Sequence, residues 1–284
     1  MPEFPEIEAI RQYLILNISN EVISEVKTFQ HTVIRNPSKD EFEILLQDAI
    51  LDHIERIGKI LLFKLHKSKL FLHLYIDHGL TGKLAWSSTS QKVPKRAVFS
   101  IKFRNGKILI YHDLKLHGTI WLFSCKNNQQ CGYPQVIDKF GPDISQISES
   151  EFIERLKRFN GEIKRVLTNQ KFITGIGNAY ADEILFEAKI HPFNRRLQLN
   201  EKEKIRLYLT CQSILFTSIS KISDMLSKTN KLDNQHYWRQ QIFKIHLKGK
   251  EPCPVCGNPI STIKARRITN FCRKCQIPKN RNFI

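Results

Sequence analysis

Four cysteines near the carboxyl end of the chain constrain its fold more than any other feature of the sequence. They follow the pattern Cys253-x2-Cys256-x15-Cys272-x2-Cys275. Two Cys-x-x-Cys turns joined by a hairpin supply four thiolates to one tetrahedral zinc ion. A site closed by four protein ligands leaves no position for a substrate, so we predict one structural Zn2+. A redox dithiol pair and two disulfides are the alternatives.

The remaining cysteines, Cys125, Cys131 and Cys211, are scattered along the chain, and we interpret them as structural thiols or small core residues. The N-terminus is acidic, whereas a signal peptide begins with a basic and then an apolar segment. No apolar run approaches the roughly 20 residues that span a bilayer. We therefore expect a cytoplasmic protein without a membrane partner, in a compartment where thiols stay reduced.

The charge of the chain indicates the kind of partner. Its 284 residues include 45 Lys or Arg and 27 Asp or Glu, which gives a net charge of +18. From residue 238 onward there are 11 basic residues and one acidic residue, so the charge is concentrated around the four cysteines. Such an excess favours a polyanion, and without a membrane signal we expect nucleic acid.

The hydrophobic pattern of the first 130 residues changes from helical to strand-like. Four apolar residues from Ile7 to Ile18 have helical spacing, and short runs of strand length follow them. Asn105-Gly106, between two of these runs, is typical of a type I′ hairpin turn. Residues 1–130 therefore predict a leading helix and antiparallel strands in a sandwich or barrel.

Helical patterns dominate after a short linker. Residues 131–146 are rich in Gly, Pro and polar side chains, which predicts the linker. A helical domain follows over 147–237, and Ser148 with Glu151 forms a capping-box pair ahead of its first apolar residues. Residues 238–284 hold the four cysteines and a basic tail. The fold class is therefore α+β.

The turn Gly175-Ile176-Gly177-Asn178 precedes a predicted helix over 179–185. Glycines in this position let backbone N–H groups converge on an anion, and the helix dipole adds to the attraction. The turn has neither the spacing of a dinucleotide fingerprint nor the Gly-Lys-Ser/Thr of a P-loop, so we predict no nucleotide cofactor. In so basic a protein a DNA phosphate is the better ligand, and a tight turn without a ligand is the alternative.

The first six residues, Met1-Pro2-Glu3-Phe4-Pro5-Glu6, allow two interpretations. Loss of Met1 would leave Pro2 as a secondary amine with a carboxylate beside it. An α-amino group titrates at about pH 8, so a useful fraction is nucleophilic at neutral pH and can form a Schiff base. The alternative is a rigid leader into the first helix.

Taken in order, these motifs resemble those of the formamidopyrimidine-DNA glycosylase/endonuclease VIII family of base-excision repair enzymes. Residues 1–6 are similar to its Met-Pro-Glu-Leu-Pro-Glu start, 56–59 to its Arg-x-Gly-Lys turn, 169–183 to its helix–two-turn–helix signature and 249–276 to its zinc finger. The resemblance implies an N-terminal β-sandwich with a leading helix, and a C-terminal helix–two-turn–helix domain plus a four-cysteine zinc finger. It also implies a nucleoid-associated bacterial-type monomer that binds damaged double-stranded DNA.

The resemblance implies a bifunctional DNA glycosylase/AP lyase. Pro2 would attack C1′ of the damaged nucleotide and displace the base, and elimination of the 3′ and 5′ phosphates would follow. Glu3 would be the acid/base, Glu6 would support the same cluster, and Lys59 would contact a phosphate beside the lesion. Both carboxylates also suit a helix start. A non-catalytic lesion- or DNA-structure-binding zinc protein is the alternative, although it needs no nucleophilic terminus.

The resemblance also implies DNA contacts in the second half of the chain. Asn178, with the backbone of Gly175 and Gly177, would hold phosphates that flank the flipped nucleotide. Lys164 matches a further phosphate contact, and Arg267 matches the arginine of the finger that grips the lesion-side phosphates. The target base must leave the stack, because its sugar carbon cannot be reached inside a duplex.

The segments that match the family's wedge depart from its pattern. Its His-Leu-Gly-Met-Ser/Thr-Gly loop matches residues 73–82 with about four extra residues, so the methionine's role falls on Leu80 or Ile76. In its Asp-Pro-Arg-Arg-Phe-Gly loop, Lys115 replaces the arginine that reads the orphaned base, and His117 replaces the intercalating phenylalanine. Because lysine has no planar bidentate fork, we expect altered lesion choice.

Overall fold

The computed structural model describes residues 1–87, 93–126, 131–265 and 267–279. The chain divides into two compact units. The first comprises Met1–Asp138 with Ile219–Trp238, and the second comprises Lys139–Ser218 with Arg239–Ile284. The linker and domain limits inferred from the sequence stay predictions, and the end of the predicted basic tail, after residue 279, lies outside the described residues.

Up to residue 138, the first unit is built from one long helix, one short helix and two sheets. Its elements are α1 (Phe4–Ile18), β1 (Ile23–Thr28), β2 (Ile34–Asn36), α2 (Lys39–Leu46), β3 (Ile50–Ile57), β4 (Ile60–Lys67), β5 (Leu70–Asp77), β6 (Gly82–Ser87), β7 (Ala97–Phe103), β8 (Ile108–Asp113) and β9 (Thr119–Cys125). The sheets have the orders β1-β7-β8-β6 and β2-β9-β5-β4-β3, and all pairs but β2–β9 are antiparallel. The predicted β-rich domain with a leading helix is confirmed.

Burial explains the apolar runs of the central strands. β4 and β5 are neighbours inside the five-stranded sheet, and helix α1 packs along β3 and β4. Side chains on both faces of these strands are therefore buried, as in the run from Ile60 to Phe63. The helix contributes its own buried stripe, which includes Ile7, Ile10 and Leu14.

The hairpin between β7 and β8 forms where the sequence predicts it, but with a different turn. A type I′ turn needs positive φ at both central residues. Of the pair Asn105-Gly106, the glycine has a φ of 84°, whereas Asn105 keeps a negative φ. The Phe103 N–H donates to the Lys107 carbonyl at 2.9 Å, so three residues form the loop and the glycine takes its left-handed position.

Two cysteines that the sequence suggested were separate thiols are joined. Cys125 at the end of β9 forms a disulfide with Cys131, and their Cα atoms are 5.2 Å apart. This separation lies within the range that a disulfide requires. The positions of the two cysteines in the sequence did not reveal this pair. Cys211 is a buried thiol, as expected.

The second unit is mainly helical. The remaining elements are α3 (Glu149–Lys157), α4 (Ile163–Leu167), α5 (Asn178–Glu187), α6 (Glu201–Thr229), α7 (Gln235–Ile242), β10 (Ser261–Lys264) and β11 (Ile268–Phe271), and the boundary between the units falls within α6 and α7. The predicted capping box at α3 is present, since Ser148 N–H donates to Glu151 at 2.7 Å. Among the described residues no helix is long and apolar enough to cross a membrane.

Candidate functional site

The start of helix α1 holds the predicted nucleophile and its carboxylates in fixed positions. Pro2 is buried, and Glu3 and Glu6 are 3% and 0% exposed. The Glu6 carboxylate accepts a hydrogen bond from the Glu3 N–H at 2.8 Å, while the Glu3 carbonyl accepts the Ile7 N–H at 3.1 Å. Glu6 therefore caps the helix, and this bond fixes the backbone of Glu3, the residue that follows Pro2.

Arg56 connects this helix start to the turn that carries Lys59. Its guanidinium lies over the Phe4 ring, 3.9 Å from the centroid, and its Nε pairs with Glu8 Oε2 at 2.9 Å. Its Nη1 donates to the Gly58 carbonyl at 3.1 Å. The Arg56 side chain therefore contacts α1 twice and the β3–β4 turn once. The Arg-x-Gly-Lys motif did not predict that its arginine connects these two elements.

Lys59 follows the left-handed Gly58, whose φ is 62°, and lies between β3 and β4. The next residue, Ile60, pairs with Asp77 at the end of β5. Burial raises the pKa of the Asp77 carboxyl, while the Gly79 N–H bond and the charge of Lys59 lower it. An acidic group thus lies within electrostatic range of the predicted phosphate contact, and the sequence gave no reason to single it out.

The turn between β5 and β6 corrects the expected wedge loop. Strand β5 continues through Asp77, so only residues 78–81 connect it to β6. The four residues that the sequence comparison assigned to a longer loop belong to the end of strand β5. Ile76 is buried at 1% exposure inside β5, whereas Leu80 is 49% exposed at the turn. Of the two candidates for the methionine's role, only Leu80 is accessible.

The turn between β8 and β9 contains the other predicted wedge residues. Lys115 and His117 are both exposed there, and Leu116 between them has a φ of 55°. Asp113 at the end of β8 is fully buried and accepts the Gly118 N–H at 2.6 Å and the Thr81 hydroxyl. A single carboxylate therefore ties this turn to the β5–β6 turn.

A buried polar pair lies beneath both turns. The rings of His78 and Tyr111 meet edge to face, with centroids 6.0 Å apart. The Tyr111 hydroxyl lies so close to Gly82 and Gly118 that a side chain at either glycine would clash with it. Burial lowers the pKa of His78 to about 4, with the N-terminal ammonium adding to the effect and Asp113 opposing it. His78 is therefore a neutral imidazole at neutral pH, within electrostatic range of the chain's amino group.

The predicted phosphate-binding turn of the second unit leads directly into α5, which begins at Asn178. Gly175 has a φ of 95°, and its N–H donates to the Gln170 side chain at 2.9 Å. The Gly175 N–H therefore points into the turn, not toward a ligand. Gln170 also donates to the Ile176 carbonyl at 2.7 Å, so it braces the turn, a role that the sequence did not reveal. The positive end of the α5 dipole faces this turn, at Gly177 and Asn178.

Lys164 has a different role from the predicted phosphate contact. It is 6% exposed, and its Nζ lies 2.6 Å from Asp182 Oδ1 and 2.9 Å from both the Ile268 carbonyl and the Thr269 hydroxyl. Three acceptors match the three N–H donors of an ammonium group. The expectation is therefore corrected: Lys164 neutralises a buried carboxylate and ties α4 to strand β11.

The finger hairpin places Arg267 next to these anchors. Arg267 is exposed and directly precedes β11, and the first residue of that strand, Ile268, accepts hydrogen bonds from both Lys164 and Asn178 (2.9 Å). The structure thus brings Asn178 and the backbone beside Arg267 together within the second unit. Asp182, which also accepts the Asn270 N–H at 3.1 Å, is the buried centre of this arrangement.

The four finger cysteines have the geometry of a zinc site. Their sulfur atoms all lie within 4.8 Å of one another, with Cys253 and Cys275 3.8 Å apart and Cys256 and Cys272 3.4 Å apart. Tetrahedral Zn–S bonds of about 2.3 Å place the sulfurs about 3.8 Å apart. Phe186, Ile245 and Ile260 form a buried cluster with Cys253 and Cys272, and the other two cysteines pack against it. The site holds one structural Zn2+.

The architecture and these sites together define a class of protein. A β-rich N-terminal unit opens on a buried proline and two carboxylates, and helical elements with a Gly-rich turn lead to a basic zinc finger. This is the architecture of zinc-finger DNA glycosylases. Three family models match it in order: the Formamidopyrimidine-DNA glycosylase N-terminal domain over residues 1–120, its H2TH domain over 140–229, and the zinc finger found in FPG and IleRS over 250–277.

Individual relatives agree over the full length. Formamidopyrimidine-DNA glycosylase of Mycoplasma mobile is 33% identical over 281 residues, covering 97% of this chain and 99% of the relative, and that of Oceanobacillus iheyensis is 31% identical, covering 97% and 98%. The complex of Lactococcus lactis Fpg with abasic-site DNA superposes with a TM-score of 0.83 at 27% identity, covering 97% of this chain and 99% of that one. The chain belongs to the formamidopyrimidine-DNA glycosylase family.

Proposed function

We propose that this chain is a bifunctional DNA glycosylase/AP lyase of base-excision repair, with Pro2 as its nucleophile. The observation that carries the proposal is the buried Pro2–Glu3 pair at the start of α1, where Glu6 caps the helix and Arg56 lies over the next residue, Phe4. A protein that only binds DNA has no need of an amine and a carboxylate fixed together in this way. The L. lactis relative has been crystallised with DNA that contains an abasic site or a Fapy-dG lesion.

The proposed reaction follows from the chemistry of a secondary amine. The Pro2 nitrogen forms a bond to C1′ as the bond between C1′ and the base breaks, and the base departs with that electron pair and takes up the proton that the Pro2 nitrogen loses. Glu3 protonates the ring oxygen, so that the sugar opens and an iminium ion forms. Loss of a C2′ proton expels the 3′ phosphate, and a second elimination expels the 5′ phosphate.

The phosphate contacts would come from several elements. Lys59 would bind a phosphate beside the lesion, and the start of α5 with Asn178 would bind those that flank it. Arg267 would grip the lesion-side phosphates from the finger. Each basic contact that neutralises one phosphate adds about 0.9 to the slope of log affinity against log salt for a duplex. Arg267→Ala should therefore reduce that slope by about one, and an unchanged slope would remove Arg267 from the interface.

The nucleophile is tested by borohydride reduction of the protein bound to abasic-site DNA. We expect a covalent adduct, and peptide mapping should place it on the N-terminal peptide that begins with Pro2. Pro2→Gly should reduce the adduct strongly, whereas Pro5→Ala, which changes the other proline of this segment, should not. Mass spectrometry of each protein establishes that Met1 has been removed before the reaction.

Two outcomes would reject the proposal. Wild-type protein that binds the DNA but gives no adduct would favour the non-catalytic DNA-binding alternative. An adduct that maps to a lysine and is undiminished in Pro2→Gly would reject Pro2 as the nucleophile. A panel of lesions opposite all four bases then tests substrate choice. Because Lys115 replaces the base-reading arginine, we expect that 8-oxoguanine opposite cytosine is not by far the best substrate.

A further inference from the structure

We propose that Leu114 is a second apolar wedge residue, and that it acts with Leu80 to fill the space that a flipped nucleotide leaves in the duplex. We call these two side chains the leucine wedge. The inference rests on the proposed function, because a wedge serves a protein that turns a nucleotide out of the stack. The resemblance assigned wedge roles to Leu80, Lys115 and His117 but none to Leu114.

Exposure is the first observation. Leu114 is 58% exposed and Leu80 is 49% exposed, and each lies in a short turn between two strands. A single exposed leucine on a protein surface needs no explanation. Here the two exposed leucines lie on turns that are bonded to each other, and apolar side chains are the kind that proteins insert between base steps.

The two turns are fixed to each other by hydrogen bonds next to Leu80 and on both sides of Leu114. Thr81, the residue after Leu80, donates its hydroxyl to Asp113, the residue before Leu114. The same hydroxyl accepts the N–H of Lys115, the residue after Leu114, at 3.0 Å. Each leucine is therefore flanked by a residue that is bonded directly to the other turn.

Close backbone packing adds a second connection. A side chain on Gly79 would overlap the carbonyl oxygen of His117, so the backbone of the first turn lies directly against that of the second. Gly79 also donates its N–H to Asp77 at 3.0 Å, which fixes the turn to the end of β5. The residues on both sides of Leu80 are thus anchored, and only its side chain extends into solvent.

This rigidity supports a wedge. Asp113 is completely buried, and its oxygens also accept the N–H groups of Lys115 at 3.3 Å and Gly118 at 2.6 Å. A backbone that is already fixed loses no further conformational freedom when its side chain enters the base stack. More of the free energy gained by burying that side chain therefore offsets the cost of unstacking the bases. The exposed Lys115 beside it suits the polar edge of the orphaned base.

The test compares duplex with single-stranded DNA, because a single strand has no stack that must be filled. The variants are Leu114→Ala, Leu80→Ala and Leu114→Met. The matched control is Leu16→Ala, because Leu16 lies on the outer face of α1 and is 85% exposed. We expect Leu114→Ala to lower the trapping efficiency on an abasic-site duplex about tenfold, which corresponds to about 1.4 kcal/mol. Trapping on the single strand should change less than about twofold, and Leu114→Met should restore duplex activity.

A binding measurement separates the wedge from the chemistry. The duplex carries a tetrahydrofuran abasic analogue opposite 2-aminopurine, whose fluorescence rises when its stacking is disturbed. We expect this rise to be reduced in Leu114→Ala and in Thr81→Val, which breaks the connection between the turns, but retained in Thr81→Ser. Unchanged fluorescence and an unchanged duplex-to-single-strand ratio in Leu114→Ala would overturn the proposal. Failure of the proposed function is distinct, since it abolishes trapping of both substrates by the wild type.

Discussion

The buried His78 should make the stability of the first unit depend on pH in a predictable way. Its side chain is 1% exposed, and within the described part of the chain neither ring nitrogen has a hydrogen-bond partner. Burial, with a smaller contribution from the N-terminal ammonium, lowers the pKa to about 4, against the attraction of Asp113. The perturbation that tests this is His78→Leu, which is similar in volume and does not titrate.

The sign and size follow from proton linkage. The unfolded chain binds a proton at His78 with a pKa near 6.5, whereas the folded unit binds it only near pH 4. The stability is therefore complete above the unfolded pKa and is lost as the pH falls toward the folded one. Between about pH 7.5 and about pH 5, His78 should cost the folded unit about 2 kcal/mol.

Urea unfolding followed by tryptophan fluorescence measures this loss, because Trp86, Trp121 and Trp238, the three tryptophans of the chain, all belong to the first unit. His78→Leu should lose about 2 kcal/mol less than wild type between the two pH values. It should be at least as stable at about pH 7.5, since it removes unpaired buried nitrogens. The exposed His53 provides the control, His53→Leu. Equal losses in His78→Leu and wild type would refute the reasoning.

Three further predictions concern other parts of the molecule. Arg56→Met should lower the free energy of unfolding of the first unit, measured in urea, by about 2 kcal/mol. This is less than the usual cost of breaking a buried ion pair, because Glu8 keeps Arg11 as a partner. A loss below about 0.5 kcal/mol would contradict this prediction. Chelation of the zinc should unfold the β10–β11 hairpin and abolish DNA binding, with recovery on adding Zn2+; full binding by metal-depleted protein would contradict this. Leu247→Gly should raise the thermal stability by about 0.5 kcal/mol, because Leu247 is 67% exposed with a φ of 61°, and a lower melting temperature would argue against strain there.

Local signals in the sequence predicted the elements that depend on local physics. The cysteine spacing predicted the metal site, because each Cys-x-x-Cys turn places its two ligands without help from the rest of the chain. The Ser148–Glu151 cap predicted the start of α3 for the same reason. The prediction of a type I′ turn at Asn105-Gly106 was wrong, because the pairing of β7 with β8 determines how many residues form the loop.

The roles of charged residues depended on contacts that no local pattern contains. Lys164 in a short helix fits a phosphate contact as well as a buried ion pair, and only the position of Asp182 distinguishes them. The length of the β5–β6 turn was misjudged because alternative gap placements fit residues 73–82 equally well in the sequence. The pairing of β5 with β4 and β9 then showed that the strand extends to Asp77.

Buried carboxylates hold in place the segments that are proposed to contact DNA. Removing the charge of one of them should therefore weaken DNA binding, whereas simple electrostatics predicts that it strengthens binding. Glu6 accepts the Glu3 N–H, Asp113 accepts two N–H groups of the β8–β9 turn, and Asp182 accepts the N–H of Asn270 in the finger. Asp113→Asn removes a negative charge from a protein that is proposed to bind a polyanion, so charge alone predicts tighter binding. An amide, however, turns its NH2 toward the Gly118 N–H and loses that bond. If the carboxylate acts as an anchor, Asp113→Asn should weaken duplex binding severalfold, and tighter binding would show that the charge outweighs the anchor.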